Sequence, residues 1–232
     1  MCASFSYSIN NPNNFIINQN DYNVVPFGYR CPAAIVCKIA NIRKFSLPFD
    51  WAIPLFPSKI KKVLENNFDD FIPDVYNDIF INKYGIFISH FNSNLNSGIQ
   101  EYIRRIGRFN TIINEPKKVY FIYINEDYLF DNYFRTDEFN NIHFIEMLEF
   151  ENFIKNKYVN IDYNILYFNF KEHVIPTNSN IINIVLHTNI LYNTHDEAPV
   201  DDFRIYCGKI LTELFNTKLN LNFRSQLFNT HW

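Results

Sequence analysis

Lys118-Val119-Tyr120-Phe121-Ile122-Tyr123-Ile124-Asn125 and Tyr163-Asn164-Ile165-Leu166-Tyr167-Phe168-Asn169-Phe170 are two nearly unbroken apolar and aromatic runs. Runs this short, rich in Ile, Val, Tyr and Phe, predict strands buried on both faces. Between them, residues 142–158 repeat their apolar positions at helical spacing. A third apolar run follows at 181–188, and a helical pattern at 202–216. Strands alternating with helices predict an α/β fold whose sheet is mixed or largely parallel and covered by helices.

Towards the N-terminus the same reading gives a strand at 24–27 that stops at Gly28. A helix over 32–40 follows, with Pro32 in its first turn. Ser58 has the chemistry of an N-cap for a helix carrying Ile60, Val63, Leu64 and Phe68 on one side. Residues 84–91 read as a strand with His90 near its end, and 99–113 as a helix closed by Pro116. Residues 1–23, rich in Asn, Ser and Tyr, are expected to be an irregular lead-in or short edge element. No repeat or linker composition divides the chain, so one domain over 1–232 is expected.

Composition narrows the function classes. The chain has 232 residues, 47% hydrophobic and 18% aromatic, enough apolar material for a substantial core. Its heavy use of Asn, Ile, Tyr, Phe and Lys matches the codon bias of AT-rich genomes, such as those of some large DNA viruses, bacteria and protists. With net charge -3 and a pI of about 6.1, no general attraction to nucleic acid or anionic membranes is expected. No apolar run is long enough for a membrane span, and the first basic residue is Arg30, so a secretory leader is not expected either. Cys2, Cys31, Cys37 and Cys207 are scattered, which fits a reducing, cytoplasmic compartment (the host's, for a viral protein) better than a disulfide framework.

Cys31 is the leading candidate for chemistry. It sits in Phe27-Gly28-Tyr29-Arg30-Cys31-Pro32, where a turn opens a helix, and unpaired N–H groups there favour a thiolate. A buried packing role is the alternative. A thiol nucleophile needs a base, and His90, ending an apolar strand, is the best placed of six histidines. His143 and His173 have no obvious partner, and His187, His195 and Cys207 lack zinc-ligand spacing, so no metal or other cofactor is expected. Asp50, in Ser46-Leu47-Pro48-Phe49-Asp50-Trp51, either orients His90 or caps a turn. Asn125 and Asp127 are rival orienting groups. Arg104, Arg105 and Arg108 form either an anion-binding face or a solvated one, and no Gly-rich phosphate loop accompanies them.

Phe27-Gly28-Tyr29-Arg30-Cys31, the Pro48-Phe49-Asp50-Trp51 block, Ile88-Ser89-His90-Phe91 and Tyr102-Ile103-Arg104-Arg105-Ile106-Gly107-Arg108-Phe109 together resemble a bacterial and large-virus family of papain-like cysteine peptidases. The resemblance covers roughly residues 24–125. It implies Cys31 as nucleophile, His90 as general base and acid, Asp50 or Asn125 as the orienting residue, and a protein or peptide substrate. Trp51 and the three arginines then fall to substrate binding. The papain-like fold it implies is α+β. The chain departs from the family at Val25-Pro26-Phe27-Gly28, where Ser-Leu-Gly is expected, and at His90-Phe91, where His-Asp-Phe is expected. Nor does a Gln precede Cys31 at papain-like spacing. Two other functions fit the pattern: a non-catalytic host-interaction protein, and an α/β transferase binding a phosphorylated donor through the arginine face.

Overall fold

The computed structural model describes residues 5–10, 17, 21–76, 79–88, 95–129, 132–188 and 197–219. The elements are β1 (Phe5–Asn10), β2 (Tyr22–Gly28), α1 (Pro32–Ile39), β3 (Ala52–Ile53), α2 (Pro57–Glu65), β4 (Asp74–Tyr76), β5 (Ile79–Ile81), β6 (Phe87–Ile88), α3 (Leu95–Asn114), β7 (Lys118–Ile124), α4 (Asp137–Lys157), β8 (Tyr163–Asn169), β9 (Ile181–Thr188) and α5 (Glu197–Phe215).

The main sheet has the order β1-β9-β8-β7-β2. Strands β2, β7, β8 and β9 run parallel, and only β1 is antiparallel, pairing with β9 from Phe5↔Thr188 to Asn10↔Asn183. With five helices packed on it, this is an α/β fold. The α+β arrangement implied by the resemblance is not the one built, because buried parallel strands need crossovers that put helices on both faces. Pro26 is tolerated within β2 because β2 is an edge strand of this sheet.

Alternation along the strands sorts the side chains into two cores. Val25, Phe27, Tyr123 and Tyr167 pack with Met147 and Phe150 of α4 on one face. Val24, Ile124 and Phe168 pack with Val36 of α1 and Phe203 and Cys207 of α5 on the other. At about 25 cal/mol per Å² of apolar surface, each fully buried Phe, Ile or Leu contributes roughly 2–3 kcal/mol, so the two cores carry the stability. A second, antiparallel sheet, β3-β6-β5-β4, lies between α1 and α3 in the chain.

Of the two readings of residues 1–23, the short edge element holds for β1, whose strict alternation Phe5-Ser6-Tyr7-Ser8-Ile9-Asn10 suits a half-buried edge strand. Other expectations change. Helix α2 starts one residue before Ser58, with Phe56 as N-cap and Pro57 at the first position, where a missing N–H costs nothing. Helix α4 starts at Asp137, five residues before the expected start, because Thr136 caps it by accepting a hydrogen bond from Phe139 N at 3.2 Å. Of the strand expected at 84–91, Phe87 and Ile88 are strand, and residues 89–94, with His90, lie outside the described residues.

Candidate active site

Because β2, β7 and β8 are parallel, their carboxyl ends share one edge of the sheet. Gly28 and Ile124 form the last pair of the β2–β7 ladder. A Cβ on Gly28 would meet the Ile124 carbonyl oxygen at 3.0 Å, so glycine permits this close approach. Beyond that pair the two chains part: residues 29–31 lead into α1 on one face, and residues 125–136 lead to α4 on the other. Connections that leave neighbouring strands to opposite faces are the arrangement at whose carboxyl edge α/β sheets bind ligands.

Cys31 stands at this edge as the N-cap residue of α1, and its side chain makes no capping hydrogen bond. It packs with Ile35, Ile39, Trp51 and Ile205 and is 3% exposed. Burial pushes its thiol up to about 11. Arg204 and, more weakly, Arg30 act downwards, while Glu126 acts upwards. At rest, then, the sulfur is a protonated thiol, because desolvation outweighs the helix start. Cys37 and Cys207 are wholly buried, and burial pushes both thiols higher still.

Two residues follow β7 directly. Asn125 is 2% exposed, its N–H continues the ladder to Phe168 O at 3.0 Å, and its Nδ2 has no hydrogen-bond partner among the described residues. Glu126 receives a forked pair of hydrogen bonds from Arg204 of α5, Nε to Oε1 at 2.7 Å and Nη2 to Oε2 at 2.9 Å. Burial disfavours the Arg204 charge, yet Glu126 overrides it and holds the guanidinium above its ordinary value. Neither Glu126 nor Arg204 stood out in the sequence. A usable signal was the position of Glu126, an acid just past the carboxyl end of an all-apolar strand.

Asp50 is placed elsewhere. Its Oδ2 accepts from Leu47 N at 2.9 Å and from Arg43, closing the turn that precedes Trp51. Its charge is felt by Cys37, about 9 Å farther along α1 than Cys31 at 1.5 Å per residue. Trp51 does reach the Cys31 cluster, because Leu55 N donates to Tyr29 O at 3.2 Å and ties its segment to the β2–α1 turn. The three arginines of α3 do not share one exposed face. Arg105 is buried and paired with Glu101, Arg108 donates to Ser46 O at 3.3 Å, and Arg104 is exposed.

His90 and His195 lie outside the described residues. His143, for which the sequence offered no partner, has two: Tyr123 Oη lies 2.6 Å from Nε2 and Tyr167 Oη 2.8 Å from Nδ1. Burial, and secondarily His173, push its imidazole down to about 3, so it is a neutral group bound inside the α4 core. Among the described residues no cluster of His, Cys, Asp and Glu is placed to hold a metal ion, and no helix is long and apolar enough to cross a membrane. Comparisons with protein-family models, curated proteins and solved structures give no match to this chain.

Proposed function

We propose that this chain is a thiol-dependent hydrolase that cleaves an amide, ester or isopeptide bond through a covalent intermediate on Cys31. The observation that carries the reading is the position of Cys31 on the β2–α1 turn, at the carboxyl edge of the parallel strands. In the proposed step a base takes the Cys31 proton as sulfur attacks the substrate carbonyl, forming the C–S bond. The same proton then passes to the leaving amine or alcohol as its bond to carbon breaks, and water hydrolyses the thioester. With the thiol held near 11, the base must act in concert with attack. The reading assigns that role to His90, as the family resemblance implies. It takes Asn125 rather than Asp50 as the polar partner, since the Asp50 carboxylate is engaged by Arg43 and Leu47.

Peptide-mapped labelling by an electrophilic probe at neutral pH tests this directly, with Cys37 and Cys207 as internal controls. One label per folded chain on Cys31, lost in His90→Ala, is the expected result. Labelling of Cys31 no faster than Cys207 overturns it.

The burial of Cys31 against Ile35 and Ile39 favours a second reading, an interaction protein in which the sulfur only packs. Here Cys31→Ala costs about 1–2 kcal/mol in stability and leaves partner binding intact. Loss of binding with an unchanged melting temperature argues against it.

A further inference from the structure

We propose that Glu126 and Arg204 together set the reactivity of Cys31, with Glu126 holding the Arg204 guanidinium beside the turn that carries the sulfur. The inference rests on Cys31 being the reactive group of the reading above, and it adds two positioning residues to that site.

Strand alternation explains why Glu126 and Arg204 meet on the face of the sheet that α1 covers. Ile124 points to the α1–α5 face, so Glu126, two residues on along the continued ladder, points the same way. Helix α5 packs on α1 across that face. Gly208 makes the approach close, since a Cβ there would lie 2.5 Å from Ile39 Cγ2. The same docking brings Ile205 into the cluster around Cys31 and sets the neighbouring Arg204 against Glu126. A guanidinium bound through both Nε and Nη2 is fixed in plane and position.

The charged groups that act on the sulfur are Arg204 from α5, Glu126 from the end of β7, and Arg30 from its own turn. Asp201, one helical turn before Arg204, acts on the guanidinium. The forked pair is close to neutral as a unit, so its two halves oppose each other at Cys31. Arg204 favours the thiolate, and Glu126 both anchors Arg204 and works against the thiolate. Neutralising Glu126 alone therefore releases the guanidinium's effect, and neutralising both removes it.

The test is the pH dependence of Cys31 alkylation by iodoacetamide between pH 6 and 10. It is followed by peptide mapping in the full chain, with folding checked by circular dichroism. Glu126→Gln is expected to move the profile to lower pH, with alkylation about tenfold faster on its acidic limb, the equivalent of one pKa unit. Glu126→Gln combined with Arg204→Met is expected to move it above the wild-type position, because Arg204 acts on the sulfur more strongly than Glu126, and Arg204→Lys to retain part of the charge effect. The double variant keeps the test decisive if Glu126→Gln alone fails to fold. Superimposable profiles for the wild type and the double variant overturn this inference but leave the hydrolase reading standing. Absence of Cys31 alkylation in the folded wild type overturns both.

Discussion

On the α4 face of the sheet, His143 lies between the hydroxyls of Tyr123 and Tyr167; on the α1–α5 face, Glu126 lies against Arg204. Both clusters are hydrogen-bonded and largely buried, Arg204 being half-buried, but they solve burial differently. The imidazole lies against β7 and β8 at the Tyr123↔Tyr167 pair, on the α4 face, and gives up its charge, pushed down to about 3. The Glu–Arg pair sits just past the strand ends and keeps two charges by joining them through a fork. Of these two clusters, the one that keeps its charges is the one that pairs them, and it stands at the carboxyl edge where α1 begins. The comparison separates a polar group that burial neutralises from a pair that keeps its charges and acts electrostatically on Cys31.

The largest effect expected from breaking this comparison is at the charged cluster. Arg204→Met leaves Glu126 as a lone buried carboxylate and should cost about 3–5 kcal/mol, most of it recovered when Glu126→Gln is added. Urea denaturation of the two variants measures both values, and a double variant as unstable as the single one contradicts the pairing argument.

The neutral cluster comes next. His143→Phe fills the space but leaves two tyrosine hydroxyls without their shared partner, for a cost of about 2–3 kcal/mol.

The same variant sharpens the contrast through pH. An imidazole near 3 in the fold and 6.5 when exposed binds its proton preferentially in the unfolded chain. Its stabilisation is complete above about pH 6.5 and is lost as pH falls towards 3, at up to about 1.4 kcal/mol per pH unit. Wild type minus His143→Phe, measured by denaturation from pH 7 to 4.5, should show that slope, and parallel curves contradict it. His173, also lowered by burial and by Lys171, acts in the same sense and remains in the variant.

Gly208→Ala forces Ile39 to move and should cost about 1–3 kcal/mol by overpacking. Because α5 carries Arg204, the substitution should also alter Cys31 labelling. A change in stability with no change in labelling would separate helix docking from the site. The smallest effect belongs to the exposed Lys83–Asp70 pair, at 2.8 Å, where Lys83→Ala should change stability by less than about 0.5 kcal/mol.

Much of the α/β plan was legible, and the misses have identifiable causes. Strands β7, β8 and β9 were read correctly because strands buried on both faces leave continuous apolar runs. The early start of α4 was hidden by Asp137, Glu138, Asn140 and Asn141, which interrupt the apolar period, although Thr136 followed by two acids is itself a helix-start signal. Of the small sheet, only β6 falls within a strand that the sequence predicts, at 84–91; β3, β4 and β5, of two or three residues, have no measurable period. Strand β1 is the short edge element that residues 1–23 were expected to allow, and its alternation marks Phe5–Asn10 as the place.

From the chain alone one can derive the strand–helix alternation, the largely parallel sheet and the Gly28–Pro32 turn that sets Cys31 at a helix start. These depend on local periodicity and on what Gly and Pro allow the backbone to do. Only the tertiary structure decided which groups meet. It put Glu126 and Arg204, 78 residues apart, into one fork within electrostatic reach of Cys31, bound Asp50 to Arg43, and turned Arg105 into the fold. It also decided the charge states, holding the Cys31 thiol near 11 and His143 neutral. Desolvation and Coulomb interactions depend on distance through space, and the order of residues does not carry that distance.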